Sequence, residues 1–210
     1  MVQKIFKTNA ELKDWLSEQN SAIIFIPTMG GIHPGHQYLI QKAKERKTKT
    51  NQIILVSIFV NPLQFSKSED FNKYPRNISR DAELAFSAGA DAIWVPDYFE
   101  VFPGGENSHF KIQVPQKLHN QLCGANRKGH FDGVTSIVKI LFDIFHPTNV
   151  FFGEKDFQQL KIINKKVNRI KILGTGEIKN KIDFDHVLAT KSAIKKIESA
   201  GCKITLIKNK

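Results

Sequence analysis

Short apolar runs alternate with helical patterns through most of the chain, and this alternation constrains the fold more than any other feature. The runs are β-branched or aromatic and lie at residues 22–26, 52–60, 91–95 and 149–152. The helical patterns lie at residues 35–47, 77–88 and 130–145. Strands that are apolar on both faces and separated by helices indicate a parallel sheet covered on both sides. We therefore predict an α/β domain with a doubly wound parallel sheet.

Composition sets limits on the class of protein. The chain has 210 residues, of which 41% are hydrophobic, so it can bury a sizeable core. Its first twenty residues are polar and charged, and its longest apolar stretches are too short to cross a bilayer. Cys123 and Cys202 are too few for a disulfide framework and lack the spacing of a zinc site. We expect a soluble cytoplasmic protein without membrane contact.

The positive charge is concentrated in the last part of the chain. The formal net charge is +11, and residues 161–210 carry 13 Lys and Arg against 4 Asp and Glu. Residues 1–160 carry 18 against 16 and are nearly neutral. A neutral body suits small molecules, whereas a basic segment suits a polyanion such as RNA. A solvated, lysine-rich surface is the alternative interpretation of the basic segment.

A loop rich in glycine and histidine, PTMGGIHPGHQYLI, follows the apolar run at 22–26. In a doubly wound sheet, ligands bind beyond the carboxyl ends of the strands. A helix that opens near Gly35 would point its free N–H groups toward that edge, where they favour an anion. The glycines let a flat ring or a phosphate approach the backbone, and His33 and His36 can donate to one phosphate. The segment is neither a Walker loop nor a GxGxxG fingerprint.

Two further segments carry side chains suited to a ligand crevice. FFGEKD ends a strand at Gly153 and places Lys155 and Asp156 at the mouth of the next helix, with Gln159 on the same side. Lys155 can neutralise phosphate charge. Gln64 follows the run at 52–60, where its amide can both donate to and accept from a hydroxy acid. The alternatives are a surface ion pair for Lys155 and Asp156, and a solvated loop residue for Gln64.

The glycine- and histidine-rich loop resembles the signature of the pantothenate synthetases, which belong to the nucleotidyltransferase superfamily and have a Rossmann-like domain. Three further blocks match this family in order. They are IFVNPLQF followed by KYPRNISRD, then RKGHFDGVTSIVKILFDIFHP, then VFFGEKDFQQL. The resemblance covers residues 1–167, which we predict to be the nucleotide- and pantoate-binding domain.

The resemblance implies an AMP-forming, ATP-dependent acid–amine ligase of pantothenate biosynthesis. The carboxylate of pantoate would attack the α-phosphate of ATP and release pyrophosphate, and the amine of β-alanine would then displace AMP from the pantoyl adenylate. Mg²⁺ would be held mainly through the phosphates, so no protein metal-ligand cluster is expected. A homodimer is left open.

The resemblance also assigns roles to individual residues. The ATP-binding residues are Met29, Gly30, Gly31, Ile32, His33, Pro34, Gly35, His36, Gly153, Glu154, Lys155 and Asp156. Those in catalytic positions are His36, His33 and Lys155. The pantoate-binding residues are Gln64, Gln159 and Asn61. Asp81 and Arg127 match family positions without a defined role.

The last part of the chain departs from the family pattern. The usual Ser-Ser-Arg-Asn motif that closes over the triphosphate, and the C-terminal lid, are not found, so we expect impaired turnover. Residues 168–210 instead resemble the C-terminal segment of bacterial large-subunit ribosomal protein fifteen. The pattern is strand KILGTGE, strand IDFDHVLA, helix KSAIKKIESAG and strand KITLI. We predict a small basic α+β segment, which is either an RNA- or ribosome-binding module or a passive appendage of an inactive fusion.

Overall fold

The computed structural model describes residues 3–47, 51–65, 71–105 and 130–153, together with 163, 171–172, 184–189, 194–195, 198–199 and 204–206. The strands are β1 (Lys4–Phe6), β2 (Ala22–Thr28), β3 (Gln52–Ile58), β4 (Ala92–Trp94), β5 (Asn149–Val150), β6 (Lys171–Ile172), β7 (Phe184–Ala189) and β8 (Ile204–Leu206). Among the described residues, the helices with defined bounds are α1 (Asn9–Gln19), α2 (Pro34–Glu45), α3 (Ile78–Ala88), α4 (Tyr98–Val101) and α5 (His130–Phe145). Two single 3₁₀ turns, Pro62–Gln64 and Phe71–Lys73, lie between β3 and α3.

The first five strands form one parallel sheet in the order β1-β4-β3-β2-β5. The chain moves outward from β2 through β3 to β4, and then returns to the other side of β2 with β5. Phe25 of β2 is accordingly in register with Leu55 on one side and Val150 on the other. Such a reversal of strand order opens a crevice at the carboxyl ends of the strands. The predicted doubly wound α/β class is confirmed.

Helices cover both faces of this sheet. On one face, the ring of Phe145 in α5 packs against Phe25 and Trp94, with ring centroids 5.3 and 4.8 Å apart. On the other face, Ile24 and Ile54 pack with residues of α2 and α3. Because each strand alternates its side chains between two apolar layers, both of its faces must be hydrophobic. This requirement explains the continuous apolar runs.

The sequence interpretation missed the first strand and helix. The run at 22–26 is the second strand in chain order, because β1 and α1 precede it. The α1 helix has a sequence signal in its capping box, in which Thr8 accepts from the backbone N–H of Glu11. Only Leu12 and Trp15 of this helix are buried, so its apolar stripe is narrow. The predicted strands at 52–60 and 149–152 are also longer than β3 and β5.

The last three strands form a separate parallel sheet in the order β6-β7-β8. They lie within the three segments predicted as strands, and residues 194–195 and 198–199 are helical as predicted. The division of the chain between residues 167 and 168 stays a prediction. Within the described residues, no helix is both long enough and apolar enough to span a bilayer.

The α5 helix approaches the Pro62–Gln64 turn through a glycine. A Cβ built on Gly133 would overlap the carbonyl group of Leu63, so no other residue fits here without a shift of the backbone. The Nδ2 atom of Asn61 donates to the carbonyl oxygen of Gly133 at 3.3 Å. The helix and the turn therefore meet backbone to backbone.

We predict that Gly133→Ala destabilises the protein. Alanine is normally the better helix former by about 1 kcal/mol, but the clash with Leu63 should reverse the sign and cost about 1–3 kcal/mol. Urea denaturation measures the effect. Gly153→Ala is the control, because a Cβ there would meet nothing closer than Leu39 Cδ1 at 3.9 Å. If Gly133→Ala were as stable as the parent, the close contact would be refuted.

Candidate functional site

The loop after β2 makes a tight turn that depends on two glycines. Gly30 and Gly31 have φ angles of 83° and 61°, which lie in the left-handed region that glycine tolerates best. A Cβ on Gly30 would also lie 2.9 Å from Oδ2 of Asp81 and 3.2 Å from Cγ2 of Ile58. The chain can therefore pass from β2 to α2 within a few residues, and its backbone at Gly30 lies in close contact with the Asp81 side chain of α3.

A buried carboxylate holds this loop in place. Oδ2 of Asp81 accepts from the Gly31 N–H at 2.9 Å, and Oδ1 accepts from the Ile32 N–H at 2.7 Å. Asp81 is only 4% exposed and lies in the first turn of α3. The side chain of Asn77 caps this helix by accepting from the Arg80 N–H. Asp81, which matched a family position without a role, thus joins α3 to the loop by two charge-assisted hydrogen bonds.

Two histidines lie side by side at the start of α2. His33 is the N-cap residue, and its Nδ1 accepts from the Gly35 N–H at 3.0 Å. The proton of the neutral His33 ring therefore lies on Nε2, where it can be donated. The ring centroids of His33 and His36 are 4.1 Å apart. Pro34 follows the cap, where its missing N–H has no cost.

These elements border a pocket of about 290 Å³ at the carboxyl edge of the sheet. Its side chains that can donate or accept hydrogen bonds are Thr28, His33, His36, Asn61, Gln64 and Tyr74. Its apolar side chains, apart from those of the loop itself, are Phe59, Val134, Ile137, Val138, Leu141 and Phe152. The pocket can hold a small molecule that has an apolar side and a polar side.

The Pro62–Gln64 turn and the residue before it supply two amide side chains to the described pocket lining. Asn61 is 1% exposed, and both ends of its amide contact the protein: Oδ1 accepts from the Leu63 N–H, and Nδ2 donates to Gly133. Gln64 is half-buried, and its backbone carbonyl accepts from Nδ1 of His130 at 2.8 Å. Sequence interpretation did not single out His130, although it stands in the matched block RKGHFDGV. Asn61 thus shapes the turn, and Gln64 borders the cavity.

Tyr74 completes the edge of the pocket. Burial raises the pKa of its hydroxyl, and the charge of Asp81 raises it further, so the phenol is neutral and can donate. Its ring meets Phe65 edge to face, with centroids 5.7 Å apart. The guanidinium of Arg76 donates to three backbone carbonyls in residues 71–74, which fixes the second 3₁₀ turn.

The structure places the predicted site residues in one region where it describes them. Met29, Gly30, Gly31, His33, His36, Asn61 and Gln64 all line the pocket. Ile32 is a buried residue of the loop, and Pro34 and Gly35 are exposed in the first turn of α2. Gly153 follows β5 near Leu39 of α2. The predictions for Glu154, Lys155, Asp156, Gln159 and Arg127 fall outside the described residues.

No group of three or more His, Cys, Asp or Glu side chains that could hold a metal occurs among the described residues. The pocket lining also contains no acidic side chain in the described part of the chain. The described lining offers imidazoles, amides, the Thr28 hydroxyl and a phenol. These are hydrogen-bonding groups suited to a phosphate or a hydroxy acid.

We predict that Asp81→Asn loosens the loop and destabilises the fold. An asparagine keeps one acceptor but turns an NH₂ group toward a backbone N–H, so the expected loss is about 2 kcal/mol. Urea denaturation measures it. Asp97→Asn is the control, because Asp97 is exposed and makes no capping hydrogen bond at α4. Equal stability of the Asp81 variant and the parent would contradict this role.

A family model for pantoate-beta-alanine ligases matches residues 4–179. A bifunctional pantoate ligase/cytidylate kinase of Prochlorococcus marinus strain NATL1A is 77% identical over 172 residues, which are 82% of this chain and 33% of that protein. The same-named protein of strain SARG is 51% identical over 166 residues, which are 78% of this chain and 32% of that protein. The chain spans about a third of the length of these curated relatives.

Solved structures give the same result. Pantothenate synthetase from Thermus thermophilus has a TM-score of 0.69 and 30% identity, and the match covers 97% of this chain and 60% of that chain. A pantoate-beta-alanine ligase from Francisella tularensis, complexed with beta-gamma ATP and beta-alanine, has a TM-score of 0.68 and 29% identity over 98% of this chain and 66% of that chain. The family match runs to residue 179, past the predicted boundary at 167. The chain belongs to the pantoate-β-alanine ligase family.

Proposed function

We propose that this chain binds ATP and pantoate, forms pantoyl adenylate, and condenses it with β-alanine to give pantothenate. The observation that carries this proposal is the pocket in which the paired histidines meet the Gln64 amide and the apolar wall of α5. Family membership supports the same reaction. The chain spans about a third of the length of its curated relatives, so the complete two-step reaction is proposed for it here.

ATP would lie along the loop with its phosphates at the start of α2. The N–H groups of Gly31 and Ile32 donate to Asp81, so the rings of His33 and His36 are the better phosphate donors in this loop. Nε2–H of His33 suits this task, because its Nδ1 is already an acceptor for Gly35. Lys155 and its neighbours Gly153, Glu154 and Asp156 would form the second phosphate-binding segment.

Pantoate would occupy the part of the pocket between the 62–64 turn and α5. It carries a carboxylate, two methyl groups on one carbon, and a hydroxyl on the carbon to each side of that dimethyl carbon. Gln64, together with Gln159, would bind the hydroxyl and carboxylate oxygens. The methyl groups would pack on Val134 and Val138 of α5, which are nearly fully buried in the pocket wall. Asn61 would assist chiefly by fixing the turn.

The first step would join a carboxylate oxygen of pantoate to the α-phosphorus, with pyrophosphate leaving in line. In the second, the amine of β-alanine would attack the acyl carbon and break its bond to the phosphate oxygen, releasing AMP. No enzyme group forms a covalent bond, so rate comes from positioning and from charge stabilisation by His36, His33 and Lys155. Mg²⁺ carried on the phosphates of ATP would supply part of the charge neutralisation.

We also propose that residues 168–210 form a small basic unit resembling the ribosomal protein segment, with RNA as its candidate partner. The observation in favour is the excess of 13 Lys and Arg over 4 Asp and Glu in residues 161–210. RNA affinity that falls steeply with salt would support this.

A homodimer is compatible with the proposal, and sedimentation velocity would test it. A reducing cytoplasm suits the two cysteines, which have no disulfide spacing.

The test of the main proposal is pantoate-dependent exchange of labelled pyrophosphate into ATP. We expect measurable exchange in the parent and at least a hundredfold loss in His36→Ala, because a donor that stabilises developing charge typically contributes about a hundred- to a thousandfold. Its melting temperature should remain close to that of the parent. His146→Asn is the control, because His146 is exposed at the far end of α5 in a left-handed conformation that asparagine tolerates.

Exchange without pantoate, or no exchange in the parent at high enzyme concentration, would refute the proposed reaction. Full exchange in His36→Ala would remove His36 from the catalytic group while leaving the reaction itself in place. A large drop in melting temperature for this variant would show that His36 is a structural residue.

A further inference from the structure

The turn that carries Gln64 has little internal support. It is a single 3₁₀ turn, closed by the Gln64 N–H to Asn61 O at 3.2 Å and the Phe65 N–H to Pro62 O at 3.1 Å. The Leu63 N–H donates to the Asn61 side chain. Such a short turn does not hold one geometry by itself in water. Its place in the pocket must be set by contacts with other elements.

The first turn of α5 supplies these contacts. Nδ1 of His130 donates to the carbonyl oxygen of Gln64 at 2.8 Å, and the Gly133 carbonyl accepts from Asn61. Between them, Leu63 packs against the bare backbone of Gly133, where no side chain fits. His130 and Gly133, which lie in one turn of α5, therefore contact three of the four residues from 61 to 64.

The chemistry of the His130 contact defines what this position needs. A carbonyl oxygen can only accept, so Nδ1 of His130 carries the proton. The carbonyl that accepts this proton belongs to Gln64 itself. The bond therefore fixes the peptide plane next to the Cα atom that carries the Gln64 side chain, which lines the pocket. Displacements of about 1 Å in a binding group are enough to weaken positioning severely.

We infer that His130 is a positioning residue, which sets the Gln64 amide for the hydroxy acid through its Nδ1–H bond to the Gln64 carbonyl. This inference rests on the proposed function for the identity of the ligand. It assigns to His130 no contact with pantoate, ATP or the reacting atoms. The Gln64 carbonyl requires one hydrogen-bond donor at the Nδ1 position of residue 130. Glycine at position 133 allows the turn to lie close enough to α5 for this bond.

Three variants test this requirement. His130→Ala removes the donor. His130→Asn restores it, because the amide nitrogen of asparagine is as many bonds from Cα as Nδ1 of histidine. His130→Gln is the matched control, because its amide nitrogen stands at the Nε2 position instead. A general loss of packing would affect asparagine and glutamine alike.

The first measurement needs no ligand. Amide hydrogen exchange by NMR reports the N–H groups of Leu63, Gln64 and Phe65, all of which are bonded within the turn. We expect their exchange to quicken about tenfold in His130→Ala and His130→Gln, and to stay near the parent in His130→Asn, as for the loss of one hydrogen bond. The Gly31 and Ile32 amides, held by Asp81, should not change.

The second measurement is calorimetric binding of pantoate and of ATP to the same proteins. The dissociation constant of pantoate should rise about tenfold in the alanine and glutamine variants and recover in the asparagine variant. That of ATP should stay within about twofold of the parent, because the donor lies on the pantoate side of the pocket.

Unchanged exchange in the turn of His130→Ala, or equal behaviour of His130→Asn and His130→Gln, would overturn the inference. So would quickened exchange accompanied by undiminished pantoate affinity. If the parent bound no pantoate, the proposed function would fail with the ligand assignment, while the exchange data would still decide whether His130 fixes the turn.

Discussion

The hydrogen bonds from one buried carboxylate to two consecutive loop amides organise the rest of this site. A turn that contains two glycines in left-handed conformations loses much conformational entropy when it becomes ordered. Asp81 opposes that loss by accepting from Gly31 and Ile32 on its two oxygens. The α3 helix, which is itself packed on the sheet, thereby determines where the loop lies. The start of α2 and its two histidines follow from that position.

In the proposed site, the loop amides serve as structural donors and the two imidazoles as phosphate donors. The loop amides that would bind a phosphate in a simple glycine-rich loop are already bonded to Asp81. His33 and His36, at the start of α2, line the pocket. A parallel division exists at the other wall, where the Asn61 amide shapes the turn and the Gln64 amide borders the cavity. The loop and the turn are therefore both held in place by hydrogen bonds within the protein.

The sequence predicts the sheet and the loop well because both have local signals. Strands buried on both faces must be continuously apolar, and a glycine- and histidine-rich turn after such a strand is unusual. The edge strand β1 escaped prediction because it has only three residues and Ile5 is exposed. The role of His130 could not be predicted, because its partner Gln64 stands 66 positions earlier. Asp81 matched a family position, but its bond to a loop about fifty residues away is also visible only in the fold.

In the proposed reaction, this pocket activates pantoate by joining an oxygen of its carboxylate to the α-phosphorus of ATP. The most direct measurement is a single-turnover reaction of the chain with ATP, β-alanine and pantoate labelled with ¹⁸O in its carboxylate, followed by mass spectrometry of the AMP. We expect one ¹⁸O atom in AMP, because the bond that later breaks lies between the acyl carbon and the transferred oxygen. AMP without label, or label that appears in inorganic phosphate together with ADP, would contradict the proposed reaction.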